Sequence, residues 1–302
     1  MLVLCYHKID CIQQDWTGIV TSPDTFRQQL MHLKDQYHIC DVRDFPWKPQ
    51  EKDMLITFDD GYADNYTTAL PILEELQVPA TFFISTGHLD TDTEDWCNEL
   101  AWLILEGEAY PPAFSFDDLR FQTESFQQRL SMHRSIEKTL IQTPNIQRNA
   151  VMNAVRQWAG ADQRTKRTSH RMLSADQLRA LAASPYASIG VHTVNHPSLG
   201  GLSIEEQRYE ILESKLTVEK IIGKDVVLFA YPFGGIGNYS LETIDLLKNA
   251  GFQKAFSTTY KRKTKAPSFY EIPRVCVSEC SLQDFIDKLS VYQIKTSYWW
   301  EG

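Results

Sequence analysis

The sequence predicts an α/β protein, a deformed (β/α) barrel with about seven strands and a helical insertion. Three observations carry this expectation. Short β-type runs recur between helical patterns, capping residues mark helix starts between them, and one long stretch breaks the alternation. The runs are Leu2–Tyr6, Met54–Phe58, Ala80–Ser85, Ala187–Val191, Val226–Tyr231, Lys254–Thr258 and Ile272–Val277. Strands alternating with helices imply a parallel sheet or barrel.

Helix starts are legible at Ser174, with Gln177 three places on, and at Ser203, with Glu206 three places on. In each, the two side chains can satisfy backbone N–H groups reciprocally. Pro23 after Ser22 marks another start and leads into Phe26, Leu30 and Leu33 on one face, a core stripe. From about residue 89 to 173 helical stretches such as 126–141 and 146–158 follow one another with no strand expected between them. The whole chain, 1–302, therefore reads as one barrel domain carrying an insertion between two strand ends. Such an insertion sits over a face of the barrel, either as a lid or substrate wall or as a packed embellishment.

Composition narrows the function. Of 302 residues 43% are hydrophobic and 23% charged, as in a soluble folded enzyme. A net charge of −9 argues against gripping phosphate backbones, so nucleic acid is not an expected partner. The basic run at 261–265 reads as a solvated loop. Six scattered cysteines form no C-x-x-C pair and are expected to be thiols. Neither a secretory signal nor a membrane-spanning segment is evident, so a cytoplasmic location is expected unless an export segment was removed. Nothing in the sequence reports an oligomeric state.

Two motifs carry chemistry. Asp59 and Asp60, followed by Gly61, sit where the strand 54–58 must end, and barrel enzymes place their chemistry at the C-terminal ends of strands. Adjacent residues there point in different directions, so one carboxylate can bind a metal while the other faces a water. Alone, such a pair is usually a turn or a helix cap. His192 and His196 lie four apart just after the strand 187–191, and two imidazoles with one carboxylate make a facial metal site with open positions. By itself that spacing is more often a pair of surface or capping histidines.

Together with a third strand-end block, Ala230-Tyr-Pro-Phe-Gly234, these motifs resemble the NodB-homology polysaccharide deacetylases, also called carbohydrate esterase family 4. The three blocks, T-F-D-D-G, H-T-V-N-H and A-Y-P-F-G, occur in that family's order between Met54 and Gly234. The resemblance implies a deformed barrel holding a divalent metal on Asp60, His192 and His196, with zinc the default and cobalt, nickel, manganese or iron fitting the same ligands. It implies Asp59 as the base acting on a metal-activated water, and the backbone N–H of Phe233 as an oxyanion donor, with Tyr231 and Pro232 beside it. Pro232 itself has no N–H. The implied reaction removes N-acetyl groups from amino sugars of a polysaccharide or glycan precursor and releases acetate. Another amide, an imide or an O-acetyl ester suits the same motifs. A barrel that binds carbohydrate without activity is the alternative from a different class.

The sequence departs from the family pattern in two places. The Arg that usually precedes the third block's Pro by two places is Ala230 here, which leaves the base without its cation. Arg274, at another strand, is the candidate substitute, unless it forms only a surface ion pair. No His follows His196, so the general acid must come from elsewhere. His7 ends the first strand, and first and last strands are neighbours in a closed barrel. The family's last block therefore resembles Leu4–His7 in permuted position, with His7 as acid, unless His7 is a core histidine. His88 is the reserve. The remaining histidines, 32, 38, 133 and 170, are expected at the surface. Asp92-Thr-Glu-Asp95-Trp96 is similar to a fourth family block but out of order, and reads as coincidence or as part of the insertion. Trp96, Trp102 and the terminal Tyr298–Trp300 fit either a sugar groove or helix packing.

Overall fold

A computed structural model describes residues 1–45, 50–161, 167–261 and 268–301, with side chains described up to 293. The basic residues 262–265 and the side chains of Tyr298–Trp300 lie outside the described residues. All seven expected runs are strands: β1 (Leu2–Tyr6), β2 (Asp53–Phe58), β3 (Ala80–Ile84), β4 (Ala187–Val191), β5 (Leu228–Ala230), β6 (Lys254–Ser257), and a last stave made of β7 (Ile272–Pro273) and β8 (Val275–Cys276). The strands run parallel in the order β7-β6-β5-β4-β3-β2-β1-β8. Only Arg274 separates β7 from β8. Because β7 pairs with β6 (Phe256 opposite Ile272) and β8 pairs with β1 (Leu4 opposite Val275), the last stave closes the sheet into a barrel.

Strand alternation sorts the side chains into two layers. Val3, Leu55, Phe83, Ala230, Phe256 and Ile272 fill the barrel interior as one cluster. Leu2, Leu4, Tyr6, Met54, Ile56 and Phe58 belong to the larger cluster beneath the surrounding helices. Helix α1 (Pro23–Gln36) starts as expected, with Ser22 accepting from the Thr25 N–H, and buries Phe26, Leu30 and Leu33 against that layer. Helix α2 (Leu70–Leu76) follows β2 through a π-helical turn at Asn65–Ala69.

Between β3 and β4 lie α3 (Trp96–Leu105), α4 (Phe126–Ile141), α5 (Asn145–Trp158) and α6 (Ala175–Leu181). Helices α3, α4 and α5 bury a hydrophobic cluster of their own, including Leu100, Leu103, Met132, Ile136 and Met152. The stretch is not wholly helical, because Ala113–Phe116 and Leu119–Gln122 form an antiparallel hairpin. Helices α7 (Ile204–Ile222), α8 (Leu241–Asn249) and α9 (Leu282–Glu301) complete the outer layer, and the capping boxes expected at Ser174 and Ser203 are present. Two histidines expected at the surface are not there. His133 and His170 are buried, and burial pushes their imidazoles down to about 4 and about 3, so they pack as neutral rings. The six cysteines are free thiols, and among the described residues no helix is long and apolar enough to cross a membrane.

Phe26 is fully buried and meets the rings of Tyr6 and Phe58 edge-on, at centroid distances of 5.1 and 5.7 Å. Phe26→Ala is expected to destabilise the protein by about 3–5 kcal/mol, the usual cost of deleting a buried aromatic ring. Urea unfolding measures it.

Candidate metal centre and active site

The C-terminal ends of β1, β2, β4, β5 and β7 converge on one mouth of the barrel. The Asp59 N–H still bonds the Tyr6 carbonyl at 3.0 Å, and the His192 N–H bonds the Ile84 carbonyl at 2.9 Å, so both residues are fixed by the sheet. Beyond these points the backbone is contorted. Asp60, Thr193, His196 and Phe233 all have positive φ, between 49° and 73°, although none is glycine. L-residues avoid this region at a cost of about 1 kcal/mol or more, so four such residues at one mouth identify a locality held for a purpose.

Asp60 Oδ1 lies 3.3 Å from His196 Nε2 and 3.5 Å from His192 Nε2. Metal–ligand bonds of about 2.0–2.2 Å at tetrahedral angles separate donor atoms by about 3.3–3.6 Å. Asp60 Oδ1 is buried and has no hydrogen-bond partner among the described residues. His192 Nδ1 lies 2.7 Å from the Ala230 carbonyl, which fixes the proton on Nδ1 and leaves Nε2 as a lone-pair donor. Burial is the main cause that pushes the Asp60 carboxyl up to about 7, with Asp95 and Asp59 adding to it, and burial drives His192 down to about 3. Neutral imidazoles beside a carboxylate whose charge the pocket does not balance are the donor set of a divalent cation. The three residues fit one.

Asp59 faces the other way. Both of its oxygens receive the Arg274 guanidinium, Nη1 to Oδ1 and Nη2 to Oδ2, each at 2.6 Å. Arg274 is only 1% exposed, so it forms no surface pair. It lies two places after the inward-facing Ile272 and therefore points into the barrel as well. Burial opposes ionisation of Asp59, but Arg274 and then His192 outweigh it and hold the carboxyl well below the usual range.

His7 is half-buried and lines the same cavity, and its Nδ1 has no hydrogen-bond partner among the described residues. One of its ring nitrogens, the Cys5 thiol and an Asp59 oxygen lie within 4.8 Å of one another. Asn65 donates to the His7 carbonyl at 2.7 Å, while Lys8 is buried against Asp64 at 2.6 Å, so the residue after β1 is anchored from below. Phe233 also lines the cavity. Its ring sits edge-on to His196 at 4.8 Å, and its N–H has no acceptor among the described residues. Tyr231 does not face the site. Strand alternation turns it towards the helices, where its hydroxyl donates to the Tyr270 carbonyl at 2.9 Å and its ring stacks on Tyr239. Pro232 shapes the turn by accepting the Gly234 N–H. His88 pairs with Thr93 and does not line the cavity.

The cavity holds about 310 Å³, and the insertion supplies one side of it: Asp95, Cys97 and Asn98 from the start of α3, Glu137 and Ile141 from α4. Asp95 accepts from Tyr62 at 2.9 Å and from Asn98. Tyr62, Asn98 and Glu137 line the cavity although the sequence did not point to them. Asp95 carried a hint, as the second acid of the Asp92-Thr-Glu-Asp95-Trp96 block that reads as coincidence or as part of the insertion.

Residues 47–255, more than half of the chain, match the profile of the family described as polysaccharide deacetylase. The chain belongs to the polysaccharide deacetylase family. Among its relatives is the putative polysaccharide deacetylase YxkH of Bacillus subtilis (strain 168), 24% identical over 234 residues, which are 76% of this chain and 53% of YxkH. The chain thus spans about half the length of the curated relative it matches. Its fold is shared with the Streptococcus pyogenes deacetylase PplD, solved in complex with acetate (TM-score 0.57, 20% identity, 92% of each chain). IcaB from Ammonifex degensii shares it too (TM-score 0.56, 18% identity, 100% of this chain and 97% of that one).

In this chain the histidine loop is gripped from two sides. Glu210 of α7 accepts the N–H groups of Val194 and Asn195 at 2.8 and 2.9 Å. From the insertion, Arg148 donates to the Asn195 carbonyl at 2.7 Å and Trp96 to the His196 carbonyl at 3.3 Å. Trp96 thus packs and positions rather than lining a groove.

Removing one partner of a buried ion pair leaves the other charge stranded. Arg274→Met is expected to cost about 3–5 kcal/mol at neutral pH, and adding Asp59→Asn should recover much of that loss. Asp59 has a depressed folded-state pKa, so the pair contributes above the unfolded carboxyl value of about 3.9 and fades as pH falls below it. Urea titrations of both variants at neutral and acid pH check the magnitude and the sign.

Proposed function

We propose that the protein is a divalent-metal-dependent hydrolase that removes the N-acetyl group from an amino sugar of a glycan or glycan precursor and releases acetate. The observation that carries this is the split of two adjacent carboxylates. Asp60 faces two imidazoles at metal-ligand spacing, and Asp59 is held ionised by Arg274. A divalent cation on Asp60, His192 and His196, zinc by preference, would polarise the acetamide carbonyl and acidify the attacking water.

The chain's own groups supply the rest. Asp59 takes the proton from the water. A carboxylate held so low is a weak base, which suits it only to an acidified water. Phe233 donates its free N–H to the developing oxyanion. His7, on the Asp59 side of the cavity, gives a proton to the leaving amine as the C–N bond breaks. Water and amide are consumed, acetate and amine are formed, and Asp59 and His7 return to their starting states by proton exchange with solvent. A carbohydrate-binding barrel without activity is disfavoured, because Arg274 fills the role that Ala230 left open.

Acetate release from N-acetylglucosamine oligomers tests the reaction. Asp59→Asn and His7→Ala should each lower kcat by about 10²–10⁴-fold while metal content, read by atomic absorption, stays at the wild-type level. Full activity of Asp59→Asn, or wild-type turnover after complete metal removal, would sink the mechanism. Arg148→Met should loosen the His196 loop and weaken metal binding about 10- to 100-fold in chelator competition, with the fold intact by circular dichroism.

A further inference from the structure

The foot of the barrel, about 20 Å along β2 from the catalytic mouth, carries a second set of ligand-type side chains. A short edge strand, His38–Ile39, runs parallel to β2 with His38 opposite Asp53, and the Cys40 N–H continues the ladder to the Met54 carbonyl. Residues 38 and 40 share a face of this strand, so an imidazole, a thiol and a carboxylate meet at one point. His38 Nδ1 is 3.1 Å from Asp53 Oδ1 and 3.3 Å from Cys40 Sγ, and all three ligand atoms lie within 4.8 Å of one another. They open onto a surface cavity that Asp41 and Asp44 also line.

We propose that His38, Cys40 and Asp53 form a second metal site, which takes zinc or a similarly borderline-soft divalent cation through Nδ1, Sγ and a carboxylate oxygen. Around a tetrahedral zinc the N···O and N···S separations would be about 3.4 and 3.6 Å, so each observed pair needs to open by only about 0.3 Å. One thiolate among nitrogen and oxygen donors selects zinc-like ions over magnesium or calcium, which prefer oxygen alone. The Gln50 N–H holds Asp53 Oδ2 at 2.7 Å and leaves Oδ1 turned towards His38, as an outer-shell partner does for a ligand.

A plain ion pair accounts for less. The His38 side chain is 77% exposed, and a pair so exposed is worth little. Nor does such a pair explain why a nearly buried thiol completes the triangle. Binding releases one proton, from Cys40, and the cation's two charges then balance one thiolate and one carboxylate. Bound metal would tie the edge strand to the first residue of β2, a structural role separate from the chemistry at the other end.

Cobalt(II) added to the metal-free full chain tests this, because a thiolate ligand gives a charge-transfer band in the near ultraviolet. The Asp60, His192 and His196 set contains no sulfur, so the band reports the foot of the barrel whether or not the catalytic centre binds metal. Wild type, Asp60→Asn and Cys5→Ser should show the band. Cys40→Ser and His38→Ala should lose it while keeping wild-type acetate release, and excess zinc should displace the cobalt and abolish the band. His38 is exposed, so its variant keeps the fold even if Cys40→Ser does not. Absence of the band in wild type, its survival in Cys40→Ser, or its loss in Cys5→Ser overturns the proposal.

Discussion

The buried pair of Arg274 and Asp59 is the interaction on which the rest of this mouth of the barrel depends. Two charges with side-chain exposures of 0% and 4% must each give up hydration worth several kcal/mol, and only near-ideal geometry compensates them. The geometry is bidentate, both contacts being 2.6 Å. Arg274 is also the single residue between β7 and β8. Its N–H bonds the Ser257 carbonyl at 2.9 Å, and its guanidinium reaches Thr57 at 3.2 Å, whose hydroxyl in turn donates to the Leu4 carbonyl. The residue that closes the barrel is therefore the one that fixes the charge of Asp59.

Closure also explains how distant parts of the chain form one site. β1 lies between β2 and β8, so His7 arrives beside Asp59 although 52 positions separate them in sequence (59 − 7). In a closed sheet the position of a strand around the ring, not its order in the chain, decides what its end can reach. The loops after β2, β4 and β5 then bend into left-handed backbone at Asp60, Thr193, His196 and Phe233. Such conformations persist only where surroundings over-determine them. Here the surroundings are identifiable: Glu210 on two N–H groups, Arg148 and Trp96 on two carbonyls, and the Thr193 hydroxyl on the His196 N–H.

Much of this was legible because its signals are local. Strands buried on both faces read as continuous apolar runs, and all seven appear at the expected places. Arg274 was legible from a deficit, since Ala230 left a carboxylate without a cation. Other features were legible but passed over. The hairpin in the insertion alternates Phe114, Phe116, Leu119 and Phe121 with polar or small residues around Asp117-Asp118, a strand-turn-strand pattern inside a helical stretch. Tyr231 follows inward-facing Ala230, and period-two alternation alone turns it away from the site. His170 gave no warning of its burial, because the partner of its Nδ1, the Ser169 hydroxyl at 2.8 Å, is an ordinary neighbour that no motif marks. Glu137 and Asn98 reach the cavity only through the packing of α3 against α4, which no short sequence window encodes.

That packing also gives the insertion two places in the structure at once. A wall beside the cavity and a packed embellishment are alternatives only if different residues serve them. In this fold the same short segment does both: Asp95 and Asn98 line the cavity, while Trp96 between them holds the His196 carbonyl. Arg148, one helix further on, lies over the Trp96 ring at 5.0 Å and grips the adjoining Asn195 carbonyl. A closely packed cluster does not deform at one end alone. Any shift of this wall to fit a bulkier ligand must therefore move the backbone that carries His196, so the shape of the cavity and the placement of the imidazole are one mechanical property of the protein.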